Sequence, residues 1–245
     1  MMKLRYYLVI LTCLTLLFLP MLACSQEPQA VEINFRFDEN EEGWVGGFAD
    51  LPLDFEQQGY DVNFAYAEIP VEGSESNGLF LTGNNHSDDL FMYITRQLSP
   101  DDGLKVNTRY NVTLSFDMAT EVPPGMMGIG GSPGESVYIK AGIVNQEPVS
   151  MEQSGGYVIN LDKGAQSQGG NDMIVVGDAA KGEGVGQDDF SFRYKKFSLS
   201  LDVATSKEGR LWIIIGADSG FEGISQLYFD NIDISLKPII PSDER

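Results

Sequence analysis

The stretch GNNHSDDLFM, residues 83 to 92, gathers the chain's one histidine with two asparagines, a serine and two aspartates. Ser87, His86 and either Asp88 or Asp89 have the composition of a nucleophile, base and orienting acid. Neighbours on an extended chain point to opposite faces, however, so these residues cannot relay a proton among themselves. A metal that prefers imidazole or thiolate needs several such ligands, and the chain offers only His86, Cys13 and Cys24. What the segment can do is hold hydroxyl groups, through the amides of Asn84 and Asn85, the His86 ring and the carboxylates of Asp88 and Asp89. A second stretch, QSQGGNDM, offers the same chemistry from a glycine-rich loop in Gln168, Asn171 and Asp172. Glycoside hydrolysis requires two carboxylates at a set separation, and nothing singles out a pair among 36 acidic residues. GIGGSPGES resembles a phosphate-cradling loop but lacks the Gly-Lys-Ser/Thr ending, and a strand-like VYIKAG follows it where a helix is required.

The elements that must position these groups are strands. Eleven stretches rich in Val, Ile, Phe and Tyr, bounded by Gly, Asn, Asp and Pro, read as β: 32–37, 62–69, 78–81, 90–98, 109–118, 136–143, 157–159, 173–176, 194–203, 210–215 and 226–236. TRYNVTLSFDMA alternates cleanly, with Tyr110, Val112, Leu114, Phe116 and Met118 on one face. QLYFDNIDISL does the same with Leu227, Phe229, Ile232 and Ile234, provided Asp230-Asn231 makes a local irregularity. No stretch sustains a helical period. The expectation is an all-β, two-sheet jelly-roll sandwich over residues 32–237, with a glycine-rich insertion of long loops at 121–189 and a loose tail at 238–245. Candidate aromatic platforms are Trp44, Phe48, Phe91, Tyr93 and Trp212, the last expected in the core.

The chain opens on Lys3 and Arg5, then an apolar run from Tyr6 to Leu19, then Met21-Leu22-Ala23-Cys24. This has the form of a signal peptide, residues 1–23. It resembles a bacterial lipoprotein signal, which implies lipidation of Cys24 and a short polar tether over residues 24–31. The mature chain would then have no disulfide, leaving a packed core or a bound ion to hold it. The formal charge of −20 makes nucleic acid an improbable partner, because a surface of this sign repels phosphate backbones.

Three stretches together look like the jelly-roll carbohydrate-binding modules of the galactose-binding-like group. They are FRFDENEEGW at the entry, the run from Gly78 to Met118 in the middle, and RLWIIIGADSG…ISQLYFDNIDIS at the exit. The resemblance implies a structural calcium shared by an acidic residue of the first strand and the final Asp-Asn aspartate, which here are Asp38, Glu39 and Asp230. It also implies a non-catalytic domain binding a glycan, carried at the cell envelope by its lipid, with the outer membrane or cell surface favoured. Two alternatives remain open: an assembly lipoprotein that binds an envelope protein, and a hydrolase built on the same sandwich.

Overall fold

The computed structural model describes residues 29–87 and 89–240; Cys24, the leader, most of the tether and Asp88 lie outside them. One sheet holds β4 (Asn63–Glu68), β5 (Asn77–Asn84), β7 (Arg109–Thr120), β12 (Arg193–Ala204) and β14 (Ile224–Pro238), in the order β12-β7-β14-β5-β4. A short β1 (Val31–Phe35) pairs with the end of β14 beyond β5. The facing sheet has the order β11-β8-β13-β6-β2, from β2 (Val45–Ala49), β6 (Leu90–Leu98), β8 (Val137–Val144), β11 (Ile174–Asp178) and β13 (Leu211–Ser219). A third, small sheet joins β3 (Leu51–Pro52), β10 (Gly156–Ile159) and β9 (Ser150–Gln153). All pairings between strands are antiparallel. The architecture is the expected jelly-roll β-sandwich, and the single helical turn among the described residues is a 3-10 turn at Pro100–Asp102, capped by Ser99.

Alternation builds the main core. Tyr110, Val112, Leu114, Phe116 and Met118 are all buried, and Phe116 lies opposite Phe197 of β12 with their rings stacked at 5.3 Å. On β14 the register slips between Asp230 and Asp233, where Asn231 takes a left-handed φ of 49°. That slip keeps Ile232 and Ile234 on the same side as Leu227 and Phe229, since an extra residue would otherwise turn them to solvent.

The second sheet is buried on both faces, which is why its central strands read as unbroken apolar runs. Leu90, Met92 and Ile94 of β6 enter the main core, while Phe91 and Tyr93 face the other way. There they meet Trp212 and Ile214 of β13 and, from the insertion, Ile159, Leu161 and Met173. Each such side chain contributes roughly 1.5–3 kcal/mol on burial, which offsets part of the cost of ordering the loop that brings it. Gly142 permits the close approach, because a Cβ there would collide with the Asp172 carbonyl oxygen.

All eleven expected strands are present, and three were missed. β2, sequence VGGFA, reads as a turn by composition, yet Gly46 and Gly47 are needed there to pass beneath Phe64 and Tyr93. β9 and β3 are short pieces of the small sheet. The 121–189 segment is also less of an insertion than expected: β8 and β11 are body strands of the second sheet, and the added part is the β9–β10 hairpin with the loop down to Met173. Of the expected tail, Pro238 closes β14, the Ile239 N–H donates to the Arg109 carbonyl, and residues 241–245 lie outside the described ones.

The sandwich has two distinct ends. Val31 pairs with Leu236 at one end, and Asn84 pairs with Ile224 at the other, about 40 Å away at the rise of a strand. Leu90 opposite Ser219, and Val137 opposite the same residue, bring the second sheet to that far end too.

Candidate functional site

At the far end, five charged side chains meet on the outer face of the second sheet. Lys140 of β8 and Asp218 of β13 are diagonal neighbours on one face, since Lys140 lies opposite Gly216 and Tyr138 opposite Asp218. Both are fully buried, with Lys140 Nζ 2.7 Å from Asp218 Oδ2. The same ammonium donates to the carbonyls of Lys163 at 2.8 Å and Gln168 at 3.0 Å. Lys163 comes from the covering loop, and its Nζ lies 2.8 Å from Asp218 Oδ2 and 2.9 Å from Asp50 Oδ2. The Gln166 N–H completes the shell of Asp218 Oδ2 at 3.0 Å, while Asp218 Oδ1 is buried and accepts no hydrogen bond. The cluster therefore pins the loop to the sheet by charge where Leu161 and Met173 pin it by packing.

Asp50 and Asp89 form the open side. Asp50 follows β2 in a left-handed conformation, φ 57°, which aspartate tolerates better than most residues, and its N–H donates to the Tyr157 carbonyl at 2.6 Å. Asp89 stands just before β6, with its side chain 52% exposed and its carboxylate 4.0 Å from Lys163 Nζ. Its carboxyl is also hydrogen-bonded to that of Asp218, which favours the protonated form of Asp89. Burial, with the nearby Asp50 charge adding to it, pushes the Asp89 carboxyl up to about 7, and Lys163 only partly offsets them. Burial works on Asp218 in the same direction, but there the Lys163 and Lys140 ammoniums prevail and hold the carboxyl below its ordinary value. Burial also pulls Lys140 down, against the help of Asp218. On Lys163 the opposing Asp218 and Asp50 charges win and raise it.

Two depressions open from this point. One, of about 490 Å³, is bounded by Asp50, Gln58, Tyr60, Asp89, Gln153 and Tyr157. The other, of about 430 Å³, runs past Asp50 and Asp89 to Leu161, Asp162, Lys163 and Gly164. Both volumes fall in the range of small-molecule sites. Among the described residues, Asp50, Asp89 and Asp218 are the group of acidic side chains whose ligand atoms lie within 4.8 Å of one another. They could hold a metal ion, although the Lys163 ammonium already stands among them.

Of the residues expected to bind, Asp89 lines both depressions. The other described ones do different work. Asn85 is buried, and its Nδ2 donates to the carbonyls of Ser219 and Phe221, both at 3.0 Å, so it latches the ends of β5 and β13 together. His86 Nε2 lies 2.9 Å from both Asn84 Nδ2 and the Gly59 carbonyl, and the ring stands edge-on to Tyr60 at 5.3 Å. Ser87 Oγ pairs with the Tyr60 hydroxyl, not with His86. The Asn171 amide and the Asp172 carboxylate fold their own loop, on Asp162 Oδ2 at 2.7 Å and the Asp162 N–H at 2.8 Å. Gln168 serves through its carbonyl, on Lys140. Trp44, Phe91 and Tyr93, considered as platforms, are buried; Trp44 stacks edge-on to Phe35 within the core. Tyr157, half-buried, and Tyr60, buried, are the rings at the cleft.

Asp38 and Glu39 are exposed and Asp230 is buried at the slip in β14. Asp230 Oδ1 accepts the Asn231 N–H at 2.6 Å, the local turn that the slip requires. Burial pushes its carboxyl up to about 6, with Asp117 and Asp38 adding to the effect and the Asn231 N–H and Arg36 opposing it.

Asp50, Lys140, Lys163 and Asp218 escaped the sequence reading. Lone charges inside the apolar runs VYIKAGIV and IIIGADSG were the available signal.

No protein-family model and no curated protein matches the chain. Among solved structures it is similar to the enzymatically active domain of tailspike protein 4 of bacteriophage CBA120, at 14% identity and a TM-score of 0.38. That match covers 81% of this chain and 20% of the tailspike domain, so the chain spans about a fifth of it. It is also similar to a xylan-binding domain of carbohydrate-binding module family 22, at 10% identity, TM-score 0.39, covering 85% of this chain and 96% of that one. A third is the family 27 module of Caldicellulosiruptor saccharolyticus in complex with mannohexaose, at 12% identity, TM-score 0.38, covering 82% and 95%.

Proposed function

We propose that this protein is a non-catalytic binding protein of the cell envelope, exported and held by a lipid on Cys24, which takes a glycan in the cleft at Asp50 and Asp89. The observation that carries the reading is the composition of that cleft. Two depressions meet at a pair of carboxylates, and one of them is flanked by the amides of Gln58 and Gln153 and the ring of Tyr157. Carboxylates and amides accept and donate to sugar hydroxyls, and a ring face packs against the apolar face of a pyranose. Calorimetric titration of the purified protein against a panel of polysaccharides tests it. Binding to at least one, weakened at least about tenfold by Gln153→Ala or Tyr157→Ala, supports the reading. Binding to none, with an intact thermal transition, removes it, and release of reducing ends in the same samples would make the protein a hydrolase.

A second reading is favoured by the same end of the molecule. Met127, Ile129 and Ile224 are 95%, 71% and 62% exposed, and Ile129 bridges to Glu222 beside β14. Such side chains suit a protein partner in the envelope, and crosslinking that returns one partner in fixed ratio, lost on Met127→Ser with Ile224→Ser, would select this reading.

Calcium belongs to the proposal just past the end of β1 and at the slip in β14, where Asp38, Asp117 and Asp230 load one another with negative charge. An ion there would relieve them and replace the missing disulfides as a staple. Chelator then lowers the melting temperature of the wild type and not of Asp230→Ala; an unchanged wild-type melt takes calcium out. Cys24→Ala, followed by membrane fractionation, tests the anchor.

A further inference from the structure

The charge balance of the cleft says more about its ligand than its shape does. Asp50, Asp89 and Asp218 face Lys140 and Lys163, so once Asp89 ionises, from about pH 7 upward, three carboxylates stand against two ammoniums. The two ammoniums are spent on Asp218 and Asp50 at 2.7 to 2.9 Å, and Asp89 is left at 4.0 Å. Asp89 is also the most exposed of the three and reaches both depressions. Asp162 adds a further carboxylate to the second depression, and the whole chain carries −20.

The cleft already shows how it receives an ammonium, because it holds its own. Lys163 Nζ lies between Asp50 and Asp218 and 5.2 Å from the centre of the Phe91 ring. We infer that the glycan taken here carries a free amino group, as an amino sugar does, and that Asp89, backed by Asp50, receives its ammonium. The inference rests on the glycan reading above and names the class of sugar. One added positive charge brings the cluster to neutrality. A divalent ion would overshoot it and would have to share Asp50 and Asp218 with the Lys163 ammonium already bound to them. An anionic glycan meets the carboxylates of Asp50, Asp89 and Asp162 and a strongly negative chain, and is repelled.

The experiment is calorimetric titration of the intact protein at about pH 7, where a substantial share of Asp89 is ionised, with a glucosamine tetramer, the same tetramer after N-acetylation, and a neutral glucose tetramer. The amine-bearing tetramer binds about tenfold or more tighter than the acetylated one, the gain expected of a charged hydrogen bond over a neutral contact. That preference falls toward one in Asp89→Asn, and also in about 0.5 M salt, where screening shortens to a few ångströms. Equal or better binding of the acetylated or neutral tetramer overturns the inference and leaves the glycan reading standing. Binding of none of the three, when no other polysaccharide binds either, removes both. Calcium that displaces the amine-bearing tetramer and stabilises wild type but not Asp89→Asn also overturns it, making the acidic pair a metal site.

Discussion

Removing the Asp218 carboxylate should be the most damaging single change to the charged cluster, and the geometry gives its size. Asp218 Oδ2 accepts from Lys140, Lys163 and the Gln166 N–H at 2.7, 2.8 and 3.0 Å. In Asp218→Ala, Lys163 retains Asp50, whereas Lys140 Nζ keeps only two carbonyl oxygens in a fully buried position. Breaking a buried pair from one side costs about 3–5 kcal/mol, chiefly through the stranded charge. For a domain of this size that lowers the melting temperature by roughly 6–20 °C. Lys140→Met is milder, about 2–3 kcal/mol, because Asp218 keeps Lys163 and an amide donor while two carbonyls lose theirs. The double variant is the decisive one. Once the carboxylate is gone, replacing Lys140 removes the stranded charge, so the pair should cost no more than Asp218→Ala alone. Urea denaturation of the four proteins measures this, with a coupling of at least about 1.5 kcal/mol expected. Additive losses, or a loss below 1 kcal/mol for Asp218→Ala, would refute the argument that these charges clamp the loop to the sheet.

Three other outcomes follow from separate features. Between the ordinary aspartate range and about 7 the fold binds a proton on Asp89 that the unfolded chain does not, so this residue makes stability fall as pH rises through that window. Asp89→Asn should flatten the melting-temperature profile between about pH 4 and 8, and at pH 8 be the more stable protein by about 1–2 kcal/mol, the full shift being discounted for a half-exposed group; a steeper profile contradicts this. Asn85→Ala takes the amide donor from the Ser219 carbonyl and one of two donors from the Phe221 carbonyl, which keeps the Ser219 hydroxyl, and should cost about 1–3 kcal/mol by denaturation, where a neutral result would deny the latch. Gly142→Ala forces a Cβ against the Asp172 backbone and should cost about 1–3 kcal/mol, with faster hydrogen exchange confined to residues 161–173 if it lifts the loop.

The sequence carried the sandwich better than it carried the cleft, for a physical reason. Alternation along β7 and β14 is a local property, and Tyr110 to Met118 announce their face without reference to any other strand. Even the slip at Asp230-Asn231 shows in the sequence as a break in period. β2 was hidden because its glycines answer to Phe64 and Tyr93, residues of other strands that lie over it. The cleft is non-local in the same way: Asp50, Asp89, Lys140, Lys163 and Asp218 come from five separate segments and converge only when the loop closes. The histidine segment drew attention by its composition, yet most of it braces the strand ends, and among its described residues Ser87 and Asp89 reach the cleft.

The placement of β1 at the end opposite the cleft also decides how the molecule carries load. A pull between a ligand at Asp89 and the chain preceding Val31 runs along the strands, because Val31 pairs with Leu236 while Asp89 lies beside the Ser219 end of β13. The ladder hydrogen bonds lie across that direction. They are therefore strained together in shear instead of being peeled one at a time, and the ladder spanning five residue pairs that holds β1 to β14 resists the force as a group.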